Sequence, residues 1–524
     1  MKLSLLLSTF FFIIFSNSQT LQITDQYVFG GDFGDFARDG VRLNNKSLIG
    51  GDSNSEISGD KTTIKYGSYD VWIVALDVNN SIEWQKSFGG SSVDFVSKLL
   101  TTSDGNLLIG VDSESDISGN KTVTSRGGVD FWVIKVDEQG NELWQKTYGG
   151  SGDDYLSDIV ELSDGSFILA GSSDSPISGD KTEASLGQSD FWIVKIDHNG
   201  NVLWDKTFGG SAIDGANSIV LDDNIIVGGT SNSPISGNKS EGIYGGLDIW
   251  ILKLDSSGAL VWDKTLGGDQ YESLSDLILL NNRIFAFGNS SSSISGSKTE
   301  ESRGFDDYYI TMLDYSGSIL MDKTYGGNDL DQLTDVKLMA SGDLVLAGIS
   351  DSDVSGDVSI PSYSNSLDYW ILILNPNDLS LKSQFKFGGG QQEYTPTIME
   401  AENNSLLLFG ASDSDISGDK TIASKGLSDF WILELSTDLS TLNVLKEESL
   451  SIYPNPTSNT FKISNLPAGE KLEISVVDMM GKTVINFTVS ETNNSVDVNS
   501  LCPGMYTLQM YDGGKKYTSK LVVE

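Results

Sequence analysis

An all-β fold is what this 524-residue sequence predicts: a seven-bladed β-propeller of four-stranded blades followed by a small C-terminal β-sandwich. Three observations carry that expectation. The string "DFWIVKID" and close variants recur seven times, with the opening aspartate at Asp70, Asp130, Asp190, Asp248, Asp307, Asp368 and Asp429. The spacings between them are nearly constant, at 60, 60, 58, 59, 61 and 61 residues. Each period also holds four short apolar runs, such as "SDIVELSDG", "SFILAGSSD", "DFWIVKID" and "NVLWDKTFGG", whose alternation and β-branched and aromatic content argue for strand over helix.

Residues 1–18, "MKLSLLLSTFFFIIFSNS", place Lys2 before an apolar run from Leu3 to Phe15 and then the small residues Ser16 and Ser18. A run of about 13 residues is too short to span a bilayer easily, so this is the pattern of a secretory signal peptide. No later segment is long and apolar enough to cross a membrane, so no span is expected in the mature form. The lone cysteine, Cys502, excludes an intramolecular disulfide framework and any zinc site of the CxxC kind.

Within each repeat the first and last connections are tight, as in "LSDGS" and "DHNGN", with glycine or asparagine where a hairpin turn needs positive φ. The connection from second to third strand is the long one, as in "SPISGDKTEASLGQSD". Four-stranded antiparallel units repeated at this regularity close radially and leave only short, protected edges. Closure is legible too. "QITDQYVFGG" aligns with a fourth strand but has no third strand before it, so it is expected to complete the seventh blade beside "DFWILELS", in competition with "TLNVLKEE" at 441–448. The propeller then runs over 20–446, a linker over 447–452, and a small β-sandwich over 453–524. The glycine three residues before most of the repeated aspartates (Gly67, Gly127, Gly187, Gly245, Gly304, Gly426, with Asn365 once) suggests a left-handed backbone there.

Net charge is −39, of which residues 451–524, with seven acids and six lysines, carry only −1. An acidic surface of that size repels phosphate backbones and anionic membranes, so nucleic acid is not an expected partner.

The copies resemble the bacterial β-propeller repeat with consensus "TYLGG…DD…G…G…DFWIVKLD…GN", found in many secreted proteins, and the resemblance covers about residues 21–446. The tail, with "SIYPNPTSNTFKISNL", "VVDMMGKTV", "LCPGMYTLQM" and "KKYTSKLVVE", resembles the C-terminal sorting domain of the type IX secretion system. Tyr453, Pro454, Asn455 and Pro456 match its opening, Gly481 and Lys482 its central turn, Gly504 and Tyr506 its penultimate strand, and Lys520 its basic end. Glu524 and Cys502 depart from the family pattern. The resemblance implies type IX machinery as a partner, passage across the outer membrane of a Bacteroidota-type Gram-negative cell, removal of the tail, and release or surface attachment.

An acid stands four residues past the double glycine in every copy: Asp35, Asp94, Asp154, Asp214, Glu272, Asp331 and Glu393. A position that all blades share is better explained by structure than by chemistry, since a short carboxylate in a tight loop accepts backbone N–H bonds. All ten tryptophans fall at two repeat positions, six in third strands and four in fourth strands, and are read as packing.

Function is sought where blades differ. After the second strand, four neighbouring blades carry acids: Asp52 and Glu56; Asp112, Glu114 and Asp116; Asp351 and Asp353; Asp413 and Asp415. The residue after the repeat acid is aromatic in blades seven, one, two and three (Tyr394, Phe36, Phe95, Tyr155) and Gly215, Ser273 or Gln332 in the others. Carboxylates and aromatics on one side of a face suit calcium-assisted or direct glycan binding, or a basic protein ligand. "DSDISGD" is only a loose calcium loop, lacking the glutamate of an EF-hand. The only histidine, His198, sits in a hairpin turn, and there is no GxSxG, HExxH or phosphate-cradling loop. The expected function is a non-catalytic adhesion or interaction module. A carboxylate-based polysaccharide lyase or glycosidase, and a purely architectural surface protein, are the alternatives.

Overall fold

A computed structural model of the chain describes residues 21–524 except 365, 402–404, 437–447, 450, 465–471, 478–482, 490–494, 500, 502, 513–514 and 524. The signal peptide assigned to 1–18 lies outside the described residues. The chain divides into two compact units, one reaching Leu435 and the other spanning Ser436–Glu524.

The first unit is a ring of seven four-stranded antiparallel sheets, six of which follow chain order from their first to their fourth strand. Blade one is Asp35–Leu43, Lys46–Ser53, Asp70–Leu76 and Ile82–Phe88. The third strands are buried on both faces and read as unbroken apolar runs, whereas the fourth strands are exposed at their starts. Cores span neighbouring blades: Trp132 of blade two packs in one cluster with Val71 and Ile73 of blade one. The six third-strand tryptophans are fully buried. The fourth-strand ones are half-buried; Trp84, for example, donates its Nε1–H to Glu138 O at 3.1 Å in the next blade's hairpin turn.

Blade seven comprises Glu393–Glu400, Ser405–Ser412 and Asp429–Ser436, and its outer strand is Gln22–Phe29 from the N-terminus. Of the competing segment at 441–448, residues 441–447 lie outside the described residues. The closing strand reproduces a side-chain clip found elsewhere in the ring. In blade one Gln85 Oε1 accepts from Trp72 Nε1 (3.0 Å) and from the Thr62 backbone N–H (3.0 Å). Gln26 does the same for Trp431 (3.3 Å) and Thr421 (3.2 Å).

The glycines three residues before the repeated aspartates are not left-handed, contrary to the sequence expectation: none has positive φ, and Asn365 lies outside the described residues. Their reason is proximity. A side chain on Gly67 would overlap the carbonyl oxygen of Ser92 in the loop entering the next blade. Positive φ belongs instead to the hairpin-turn glycines, such as Gly105 and Gly140, and to the glycine of each "SG" turn, such as Gly59 at +54°.

The second unit is a β-sandwich, with a five-stranded sheet and a three-stranded sheet around Phe461, Ile463, Ile474, Val476, Leu508 and Leu521. Its strands begin earlier than the sequence suggested. Glu448–Ser449, read as linker, pairs in parallel with Tyr517–Thr518 of the last strand. Asn455 clamps that same strand: its Nδ2–H donates to Lys520 O (2.6 Å) and its Oδ1 accepts from the Val522 N–H (2.8 Å). The opening and the basic end of the sorting motif are thus joined. Tyr453 and Lys520 are exposed, Gly504 and Tyr506 lie in the penultimate strand, and Gly481 and Lys482 fall outside the described residues.

What holds one blade to the next is a buried cluster of charged and polar side chains made from the repeat's recurring residues. The repeat acids are buried and accept the N–H of the second loop glycine, as Asp94 does from Gly90 at 2.7 Å. They also accept a buried serine hydroxyl, as Asp94 does from Ser115 at 2.8 Å. The aspartate opening each third strand, buried beside them, accepts a backbone N–H four or five residues before it, as Asp70 does from Tyr66 at 2.6 Å. The first loop glycine exists because this carboxylate fills the space where its side chain would be, as Asp429 does at Gly30. Near the two acids lies a buried lysine from the long loop (Lys61, Lys121, Lys181, Lys239, Lys298, Lys420), bonded to carbonyl and hydroxyl oxygens, as Lys61 is to Ser55 O at 2.7 Å. Its ammonium sits over the third-strand aromatic ring, 4.8 Å away for Lys239 and Trp250.

Blade six has Val358 at the lysine position, yet keeps the charge. Lys386, where the fourth strands of blades one to five have Ser or Thr, donates to Ser352 O at 2.8 Å, the bond Lys121 makes to Ser115 O at 2.7 Å. Two carboxyls and one ammonium share each joint, and burial shifts the third-strand carboxyl toward its protonated form. Burial, helped by the neighbouring repeat acid and opposed by the backbone N–H bonds, raises Asp70, Asp190 and Asp429 to about 6 and Asp368 to about 8. Oδ1 of Asp130, Asp190 and Asp307 finds no donor among the described residues.

Two predictions follow from the cluster. Lys386→Thr should lose about 3 kcal/mol of stability by stranding buried carboxylates, and Val358→Lys in the same chain should restore most of it; chemical denaturation measures both. Equal losses in the single and double variants would refute the shared role. Folding raises these acids above their unfolded values, so the stability gained by keeping them protonated is complete below about pH 4 and is lost as pH rises through 6 to 8. The lysines, lowered by burial (Lys239 and Lys298 to about 8), give the opposite slope only above that range. Calorimetry should therefore show a higher melting temperature at about pH 5.5 than at about pH 8, with a smaller difference in Asp368→Asn.

Candidate functional site

The first strands of all seven blades line an axial cavity of about 160 Å³. Each of these strands carries a bulge, at Ala37/Asp39, Val96/Lys98, Leu156/Asp158 and equivalent positions, which turns an extra residue toward the axis. The position four past the repeat acid is Asp39, Lys98, Asp158, Ser218, Asp276, Asp335 and Thr397 around the ring, all at the cavity wall. Lys98 Nζ lies 3.3 Å from Asp158 Oδ1 and 4.0 Å from Asp39 Oδ2. Asp158 is the main cause of its raised pKa, with Asp39 adding to it against burial. Lys337 pairs with Asp335 at 3.5 Å, and burial raises Asp276 to about 6.

These acids also stitch neighbouring blades. Asp39 Oδ2 accepts from the Leu99 N–H (2.7 Å), Asp158 Oδ2 from Ile219 (2.8 Å), and Asp335 Oδ2 from Ile398 (2.7 Å). Sequence reasoning passed over this charged ring. Its signal was a polar residue at a fixed position, four past the repeat acid, in every first strand.

The four aromatics precede the cavity-lining residues by two or three positions, which places them at the loop-side rim. Phe36 and Tyr394 meet edge to face with centroids 6.3 Å apart, Tyr394 donates its hydroxyl to Asp413 Oδ2 (2.8 Å), and Arg38 lies 5.7 Å from the Phe36 ring centre. Phe95 packs on Tyr69 at 5.6 Å and remains 38% exposed; Tyr155 is 45% exposed. Partial burial, with Asp153, Asp112 and Glu114 nearby, raises the Tyr155 hydroxyl. The rest of the rim has Gly215, Ser273 and Gln332 at this position.

The nine acids proposed for a cation are not brought together. Asp52 and Asp112 are strand residues rather than loop residues: Asp52 is fully buried, pairs with Arg38 (2.6 Å) and accepts from the Val96 N–H (2.8 Å), while Asp112 accepts from Leu156 (2.6 Å). Burial raises them to about 6 and about 7. Asp351 accepts from Leu330 N–H (2.8 Å), Glu114 from Ser92 (3.0 Å), Asp116 from Ser125 N–H (3.2 Å), and Asp413 from Ser428 and Tyr394. Glu56, Asp353 and Asp415 stand one to a blade. Among the described residues no group of three or more metal-ligating side chains is placed to hold an ion. Both loop types do share one face. The long loop's serines accept from the entering loop, Ser58 from the Asp32 N–H (2.9 Å) and Ser55 from Phe33 (3.0 Å).

Comparison with known proteins gives the tail its family. Residues 451–524 match the secretion system C-terminal sorting domain. Regulatory protein FlaEY of Caulobacter vibrioides is 21% identical over 377 residues, an alignment spanning 64% of this chain and 38% of that relative. Among solved structures, a protein of unknown function from Dyadobacter fermentans (11% identity, TM-score 0.41) aligns over 79% of this chain and 99% of its own. The Pan2 WD40 domain of Neurospora crassa (11%, TM-score 0.40) aligns over 80% and 96%. The tail marks the chain for type IX secretion to the outside of a Bacteroidetes cell. Among the described residues no helix is long and apolar enough to cross a membrane.

Proposed function

We propose that the protein is a secreted or surface-held, non-catalytic binding module that takes a glycan at the loop-side rim of the propeller's axial cavity. The resemblance of the copies to repeats of other secreted propellers supports that setting. One observation carries the ligand assignment: the rim is aromatic in four consecutive blades and small or polar in the other three. Exposed rings at Phe95 and Tyr155 offer flat apolar faces to a sugar, and the polar cavity wall behind them offers donors and acceptors to its hydroxyls.

The secreted chain should be retained on at least one soluble polysaccharide in affinity electrophoresis, and Phe95→Ala with Tyr155→Ala should weaken that retention about tenfold. Retention unchanged by both substitutions would move the site elsewhere. Release of oligosaccharide from the retained polymer would replace the binding reading with an enzymatic one.

A further inference from the structure

Every long loop carries one aliphatic residue between its two clipping serines: Ile57, Ile117, Ile177, Ile235, Ile294, Val354 and Ile416. All seven are exposed, by 57% to 69%. An exposed aliphatic position is unremarkable once and informative when the same chain keeps it seven times. The residue before it changes freely among Glu56, Asp116, Pro176, Ser293 and others, so the loop's backbone does not dictate the choice. Nor is the aliphatic side chain needed to shape the loop. In blade two Ser115 accepts from the Ser92 N–H at 3.0 Å and Ser118 from the Ser91 N–H at 2.8 Å, fixing the chain on both sides of Ile117.

Because each loop is held by the same serine clips, the seven side chains stand at equivalent points around one face and form a rigid apolar ring outside the aromatic rim. We infer that this ring is a docking surface for a basic, amphipathic protein segment. Charge decides between occupants. The lysine that ends six of these turns points inward and is buried, whereas Glu56, Asp116, Asp353 and Asp415 stand beside four of the aliphatics. The face is therefore apolar and anionic. A second copy would oppose acid with acid, while a cationic partner with its own apolar stripe satisfies both features.

The experiment uses the full secreted chain and a Leu/Lys amphipathic peptide roughly 18 residues long, with all-Lys and Leu/Glu peptides of equal length as comparators. Fluorescence anisotropy should show the Leu/Lys peptide binding at least about tenfold tighter than either comparator. Ile117→Ser, Ile177→Ser and Ile235→Ser together should remove most of that advantage with the melting temperature unchanged. Leu143→Ser, Leu203→Ser and Val261→Ser, at exposed fourth-strand positions, should leave it intact. Equal binding by the wild type and the isoleucine variant overturns the inference, as does equal loss in the fourth-strand variant. Concentration-dependent dimers in sedimentation velocity that vanish in the isoleucine variant would assign the ring to a second copy instead.

Discussion

The ring depends on an ammonium group buried close to two carboxyls at each step from blade to blade. The double glycine, the acid after it, the serine of the long loop, the lysine and the third-strand aspartate are one device seen from five positions in the sequence. Each glycine makes room for a neighbour, each acid collects N–H and O–H donors, and the lysine supplies the charge that lets two acids share a dry site. Blade six shows that the requirement is for the charge and not for the residue that brings it. Val358 gives up the lysine, and Lys386 delivers an ammonium to the same serine carbonyl from another strand.

This explains where function can sit. Positions committed to the joints cannot vary without cost, so the rim and the outer parts of the loops are where individuality accumulates. The axial cavity belongs to both worlds, because Asp39, Asp158 and Asp335 fasten the neighbouring first strands while presenting charge to the axis. The tail is a separate device with an export role.

Much of the architecture was legible because the repeat is its own alignment. Strand order, blade count and the closing N-terminal strand follow from spacing and from a fourth strand that lacked a third. The site was less legible, for physical reasons. Asp52 and Asp112 look like loop acids in a linear reading, but the second strand runs longer than its apolar core and draws them inside to serve the next blade's bulge. The bulge leaves no mark in composition, so Lys98 and Asp158 were indistinguishable from surface charges. Gly67 and its equivalents were misread because crowding by another loop and a left-handed backbone both select glycine, and only coordinates separate the two.

The closing strand gives the molecule a folding order. Gln26 and Trp431 lie 405 residues apart, whereas the hairpins within blades join strands across a few residues. Bringing ends together over that contour costs roughly 5 kcal/mol of chain entropy, against about 1 kcal/mol for a short hairpin loop. Blades one to six can assemble from local hairpins as they meet, and the seventh must wait for both ends of the ring. The last joint to form is thus a seam between the two most distant segments of the ring.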